Sequence, residues 1–210
     1  EILASAYEDD LITKNPAASR RINLGGKEGT GIKAGVIGEI GISEIFNEDE
    51  RRVLRASAIA HKKTGAGVLV HINPWTQNGL EATDILLKGG VPANRIAISH
   101  VDVEDNMEYI HTLLSKGVYI EFDNFGKEFY VSRERRFAYD LERASLLASL
   151  VSEGYGDRIL VCNDICLKTM WRKYGGNGYS HILRTVKQMA IDYGIDENVY
   201  NSMLTENVKE

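Results

Sequence analysis

No stretch of this 210-residue chain reaches the roughly 18 consecutive apolar residues that a membrane-spanning helix needs, so no transmembrane helix is expected. Its first residues, EILASAYEDD, carry acids where a secretory signal peptide carries basic residues. A basic run is also missing. The 25 Lys and Arg and 30 Asp and Glu are mixed along the chain and leave a net charge of −5, which argues against a nucleic-acid partner. Cysteine is scarce. Cys162 and Cys166 are the only two and stand four positions apart, which excludes a C-x-x-C redox or zinc motif and makes a structural disulfide unexpected. These absences point to a soluble cytoplasmic protein with no membrane partner. With 43% hydrophobic residues the length suits a single core, so one domain over residues 1–210 is the expectation.

What the chain does contain is an alternation. Apolar runs occur at 34–40, 67–72, 95–101, 117–123 and 158–163, several nearly continuous, as for parallel strands covered on both faces. Amphipathic stretches follow them. Asn47 precedes EDERRVLRASAIAHKKTG, an N-cap before acids in the first turn, with an expected apolar stripe of Val53, Ala56, Ile59 and Ala60 and a stop at Gly65. Residues 78–88, 104–116 and 140–153 read as further helices, and 181–210 as two helices around the DYGID turn. Residues 1–33 show no period and read as irregular; residues 34–210 read as strand-helix units of an α/β barrel.

Each apolar run ends in a side chain able to bind metal: Glu39, His71, His100, Asp123 and Asp164. The C-terminal ends of parallel barrel strands open into one mouth, where residues read as catalytic. Two imidazoles and several carboxylates gathered there can hold a divalent metal, which suggests a metal-dependent hydrolase acting on a small molecule. Glu39, His71 and His100 are expected as ligands, and Asp164 as a ligand or as the base that takes a proton. Trp75, Asp123, Lys127, Tyr130 and Lys168 lie near enough to strand ends to contact substrate. His61, His111 and His181 read as structural. KYGGNGY lacks the lysine-serine pair of a phosphate loop and reads as a flexible lip at the mouth.

GVIGEIG, HINP, SHVD, EFDNFGKE, ILVCNDI and KYGGNGYSHIL together resemble the phosphotriesterase-related proteins of the amidohydrolase superfamily, in the branch with glutamate as bridging ligand, over about residues 29–208. The resemblance implies a TIM (β/α)8 barrel of which strands four to eight are recognisable here. It implies two divalent metals, zinc by preference with manganese or cobalt as alternatives. Glu39 would bridge them, His71 and His100 would bind the second, and Asp164 would bind the first and shuttle a proton. It further implies a homodimer and hydrolysis of a small ester, lactone, phosphoester or N-acyl amide. In phosphotriesterases proper the bridge is a carbamylated lysine, and Lys33 lies too early to replace Glu39.

The family opens on a His-x-His pair in its first strand, and here no histidine precedes His61. The chain is then truncated, has lost one metal site, or is completed by another chain. Truncation is the favoured reading, because five strands alone would expose an apolar edge and Glu1 stands where an initiator methionine would. The alternative function is a non-catalytic barrel fragment or a metal- or ligand-binding subunit without the first metal site.

Overall fold

A computed structural model describes residues 35–209. They divide into two compact units, one ending at Ala97 and the other beginning at Ile98. The irregular segment expected at 1–33 lies outside the described residues. Among those described, no helix is long and apolar enough to cross a membrane.

The first unit is two strand-helix repeats: β1 (Val36–Ile42), α1 (Glu48–Thr64), β2 (Gly67–Ile72) and α2 (Asn78–Lys88). β1 and β2 pair in parallel, with Gly41 opposite His71 and a slip in register between Ile37 and Ile40. Ile37, Ile40, Val68, Val70 and Ile72 are buried and form the strand contribution to the core. α1 begins in a capping box. Asn47 Oδ1 accepts from the amides of Asp49 and Glu50 at 2.9 and 3.1 Å, and Glu50 Oε2 accepts from the Asn47 amide at 3.0 Å. Its end is Gly65, in the left-handed region at φ 73°.

The buried face of α1 differs from the expected stripe. Leu54, Ala56, Ser57, Ala58, Ala60 and His61 are buried, whereas Ile59 is 43% exposed. Two polar groups make this face usable. Ser57 Oγ donates to Val53 O at 2.9 Å and His61 Nδ1 lies 2.7 Å from Ala66 O, so both can be buried without an orphaned polar atom.

The strand β3 (Ile96–Ile98) runs across the boundary between the units. Beyond it come α3 (Met107–Ser115), β4 (Tyr119–Phe122), α4 (Asp140–Ser152) and β5 (Ile159–Val161). The chain ends in α5 (Lys187–Asp192), α6 (Glu197–Leu204) and α7 (Glu206–Lys209). β4 and β5 pair in parallel, Ile120 opposite Ile159 and Phe122 opposite Val161. α3 starts later than the sequence suggests. Asn106 Oδ1 caps the Tyr109 amide at 3.1 Å, so residues 104–106 form the approach to the helix rather than its first turn. α5 is preceded by a π-helical turn, Ile182–Val186.

Candidate functional site

In the first unit the site begins with the neighbouring strands β1 and β2. They bring Glu39 Oε1 within 3.3 Å of His71 Nδ1, with both side chains a little under half exposed. That separation is long for an N–H···O hydrogen bond. It equals the edge of about 3.3 Å between two ligands of a tetrahedral metal with bonds of about 2.0–2.1 Å. The donor types, one carboxylate and one imidazole, suit a borderline divalent cation such as zinc. Gly38 allows the strands to come this close. A Cβ there would lie 2.7 Å from Leu69 O, so glycine is required by the approach of β2. Trp75 follows β2 in a turn closed by Asn73, whose Oδ1 accepts from the Trp75 amide at 3.1 Å, and it is half-buried.

In the second unit His100 and Asp164 stand two and three positions past the ends of β3 and β5. They are the two non-glycine residues with positive φ among the described residues, at 61° and 32°. Such backbone costs about 1–3 kcal/mol and persists where the surroundings enforce it, commonly at functional sites. Asp123 supplies the enforcement at His100. Its two carboxylate oxygens each accept from the His100 amide at 3.2 Å, and they lie 3.0 and 2.9 Å from His100 Nδ1.

Asp123, expected near a strand end where substrate could reach it, is bonded to its protein neighbours. It is 2% exposed and its carboxylate is engaged by His100 and by Asn124 Nδ2 at 2.6 Å. Burial pushes its pKa up to about 7, against the pull of the His100 ring, with the neighbouring Asp102 and Glu121 charges adding to the rise. The contact orients the imidazole, as carboxylates beyond the ligand shell of metal sites do.

Asp164 pairs with Lys127 Nζ. Lys127 is buried, so this ammonium faces the carboxylate inside the unit. Tyr130 is 75% exposed, in a hairpin where it bridges to Arg136. Lys168 lies over the Tyr174 ring at 4.7 Å. KYGGNGY is pinned to the preceding turn and is not a free lip. Gly178 N donates to Met170 O at 2.9 Å, and a Cβ on Gly176 would fall 2.2 Å from the Met170 backbone. Cys162 and Cys166 are free thiols.

Several residues that shape this region escaped the sequence reading. Asp102, Asn124, Asp140, Arg143 and His181 form a buried polar network around the segment after β4. The available signal was Arg143, a charge on the stripe that it shares with Asp140, Leu147 and Leu150 on α4, all of them buried. His181, read as structural, is held in that network by Asp140 Oδ2 at 2.7 Å.

Parallel strands that end in carboxylates and imidazoles, each followed by a returning helix, are the repeating units of an α/β barrel. The chain belongs to the phosphotriesterase family, whose model matches residues 20–210. This family is metal-dependent and its fold is the phosphotriesterase-like TIM barrel.

N-acetyltaurine hydrolase from Pongo abelii is 40% identical over 192 residues, which cover 89% of this chain and 55% of the relative. Among solved structures, the Escherichia coli phosphotriesterase homology protein, complexed with phosphate in its active site, superposes with a TM-score of 0.82. It is 29% identical and the match covers 97% of this chain and 64% of that one. A resiniferatoxin-binding protein from Rhodobacter sphaeroides gives a TM-score of 0.82 at 30% identity, covering 88% and 52%. The chain spans about half the length of the N-acetyltaurine hydrolases it matches.

Proposed function

We propose that this chain carries the metal-holding strands of a single-domain, zinc-dependent hydrolase that cleaves a small substrate, with an N-acyl amide as the first choice. The observation that carries the reading is the Glu39–His71 separation of 3.3 Å on adjacent parallel strands, which fits two ligands of one metal and is poor as a hydrogen bond. Family membership supports hydrolysis, and the N-acetyltaurine hydrolases support the amide.

A bound divalent metal supplies positive charge that acidifies water and polarises a scissile carbonyl. Glu39, His71 and His100 would hold it. With Nδ1 of His100 taken up by Asp123, the nitrogen that His100 offers is Nε2, and the Asp123 carboxylate keeps the ring aimed. Asp164 is the group to receive a proton during turnover, because a carboxylate at the end of β5 can accept one at neutral pH. Lys127 Nζ pairs with this carboxylate and holds it in place. By the family resemblance, Asp164 and Glu39 would serve as ligands where a second divalent metal binds, adding positive charge to the site.

The test is reconstitution of the purified chain with zinc or manganese, followed by metal analysis and a panel of N-acyl amino acids and amino-sulfonates, lactones and phosphoesters. Bound metal with amide hydrolysis is the expected result. Asp164→Asn should lose turnover far more than metal. A chain that takes up no metal and hydrolyses nothing on the panel overturns the reading.

A further inference from the structure

A line of buried charge in the second unit is unused by the mechanism above. Arg143, on α4, is fully buried. Its Nε donates to Asp102 O at 3.2 Å and lies 3.2 Å from Asp102 Oδ2. Nη1 donates to Asp140 Oδ1 at 3.0 Å, and Nη2 donates to Lys127 O at 2.9 Å. The two carboxylates continue the line. Asp102 accepts from the Asn124 amide and Nδ2 at 2.9 and 2.7 Å. Asp140 accepts from the Gly126 amide at 2.8 Å and pairs with His181 Nε2 at 2.7 Å.

Asp102, Asp140 and Arg143 each bond to residues 124–127, which follow β4 without regular secondary structure. Asn124, Gly126 and Lys127 are each tethered by a side chain of the network. Gly126 sits in the left-handed region at φ 86°, where a Cβ would come within 3.0 Å of Asn177 Nδ2 and 3.3 Å of His181 Cδ2. The segment is therefore moulded on three sides.

Stability alone does not account for this arrangement. A buried ion pair is often no better for folding than apolar side chains of the same volume. The planar guanidinium meets two carboxylates and two backbone carbonyls along its rigid edge, whereas a lysine would offer three donors about a single point charge without a fork. The feature that an apolar residue could not supply is the bond to Lys127 O.

We propose that Arg143 is a positioning residue that sets Lys127 opposite Asp164. Asp102 and Asp140 hold the guanidinium, and the guanidinium fixes the backbone from which the Lys127 ammonium projects. The inference deepens the role given to Asp164, yet its test needs neither substrate nor metal. A failed hydrolysis assay leaves it standing, and its own failure leaves the hydrolase reading intact.

The experiment is competitive trace acetylation of the full folded chain with acetic anhydride, read by peptide mass spectrometry as labelling of Lys127 relative to the exposed Lys88. In the wild type Lys127 labels slowly. In Arg143→Lys and Arg143→Met its relative labelling should rise about tenfold, the scale of one lost charge-assisted hydrogen bond. Leu147→Ala, a fully buried cavity on the same helix, destabilises without touching the network and should leave the ratio unchanged. Asp140→Asn removes the charge from one support of the guanidinium and should give a smaller rise, which keeps the test decisive if Arg143→Met fails to fold. Unchanged Lys127 labelling in Arg143→Lys and Asp140→Asn, or an equal rise in Leu147→Ala, overturns the proposal.

Discussion

Replacing Gly38 by alanine tests how closely β1 and β2 must approach to set the Glu39–His71 pair. The added Cβ would stand 2.7 Å from Leu69 O, 2.8 Å from Leu69 Cβ and 3.3 Å from Leu69 Cα. Carbon contacts relax at about 3.5–4.0 Å. None of the three atoms can swing aside, because two are backbone and the third is attached to it, so the strands have to part. Overpacking of this kind costs about 1–3 kcal/mol. Removing a strand glycine returns about 0.5–1 kcal/mol of chain entropy, which leaves a net loss of roughly 1–2 kcal/mol. Gly41 is the internal control, since it lies in the same strand and a Cβ there meets nothing within 4 Å. Gly41→Ala should be neutral or stabilising by up to about 1 kcal/mol. Urea melts at constant slope measure both changes. A zinc titration measures the consequence for the site, which Gly38→Ala should weaken and Gly41→Ala should spare. Equal stability of Gly38→Ala and wild type, or equal damage from both variants, refutes the close-approach argument.

Three further outcomes follow from local geometry. Asn47→Ala removes the Oδ1 that accepts from two amides of the α1 capping box and should lower stability by about 1 kcal/mol in a denaturant melt, with Asn47→Asp close to wild type. Asp140→Asn should destabilise by about 3 kcal/mol at neutral pH, as expected for breaking a buried charge network. Burial alone would raise the Asp140 pKa, but the His181 contact, the Gly126 amide and the Arg143 charge outweigh it and hold the carboxyl below its ordinary value. Its contribution is therefore present above the unfolded pKa of about 3.9 and lost as pH falls through the lower folded value, so the gap between wild type and Asp140→Asn should close in strong acid. Glu39→Gln should lose metal. Wild-type reconstitution should proceed equally in degassed buffer and in bicarbonate, because a glutamate side chain carries its own carboxyl group and needs no carbon dioxide to form one, unlike a lysine that must be carbamylated.

The repeated apolar runs were legible because burial on both strand faces leaves a continuous hydrophobic signature, and α1 was legible because Asn47 and Gly65 mark its ends chemically. Its buried face was misread because Ser57 and His61 are polar by type, and only their bonds to Val53 O and Ala66 O make them core residues. The network around Arg143 was illegible for a related reason. Its partner Asp102 is 41 positions away, and nothing in a single sequence pairs them. Asp123 was legible as a strand-end acid, but its bond to His100 was not. Alternation along β4 aims a side chain at the sheet face, yet it cannot distinguish a carboxylate facing substrate from one bonded to the histidine after β3.

Backbone strain falls on two of the residues with metal-binding side chains. His100 and Asp164 were selected from the sequence by residue type and strand-end position, a criterion blind to φ. Neither is glycine, yet both adopt left-handed backbone, and no other non-glycine residue among those described does. At His100 the strain is balanced by the two Asp123 oxygens that receive its amide. At Asp164 the Cys166 amide donates to the Asp164 carbonyl at 2.8 Å. Local energy is thus committed at the ends of β3 and β5, where a fold optimised only for stability would place glycine. This bears on the Asp164→Asn experiment. Asparagine tolerates the left-handed region as readily as aspartate, so the substitution removes the charge without moving the chain. Any loss of turnover at unchanged stability then belongs to the carboxylate.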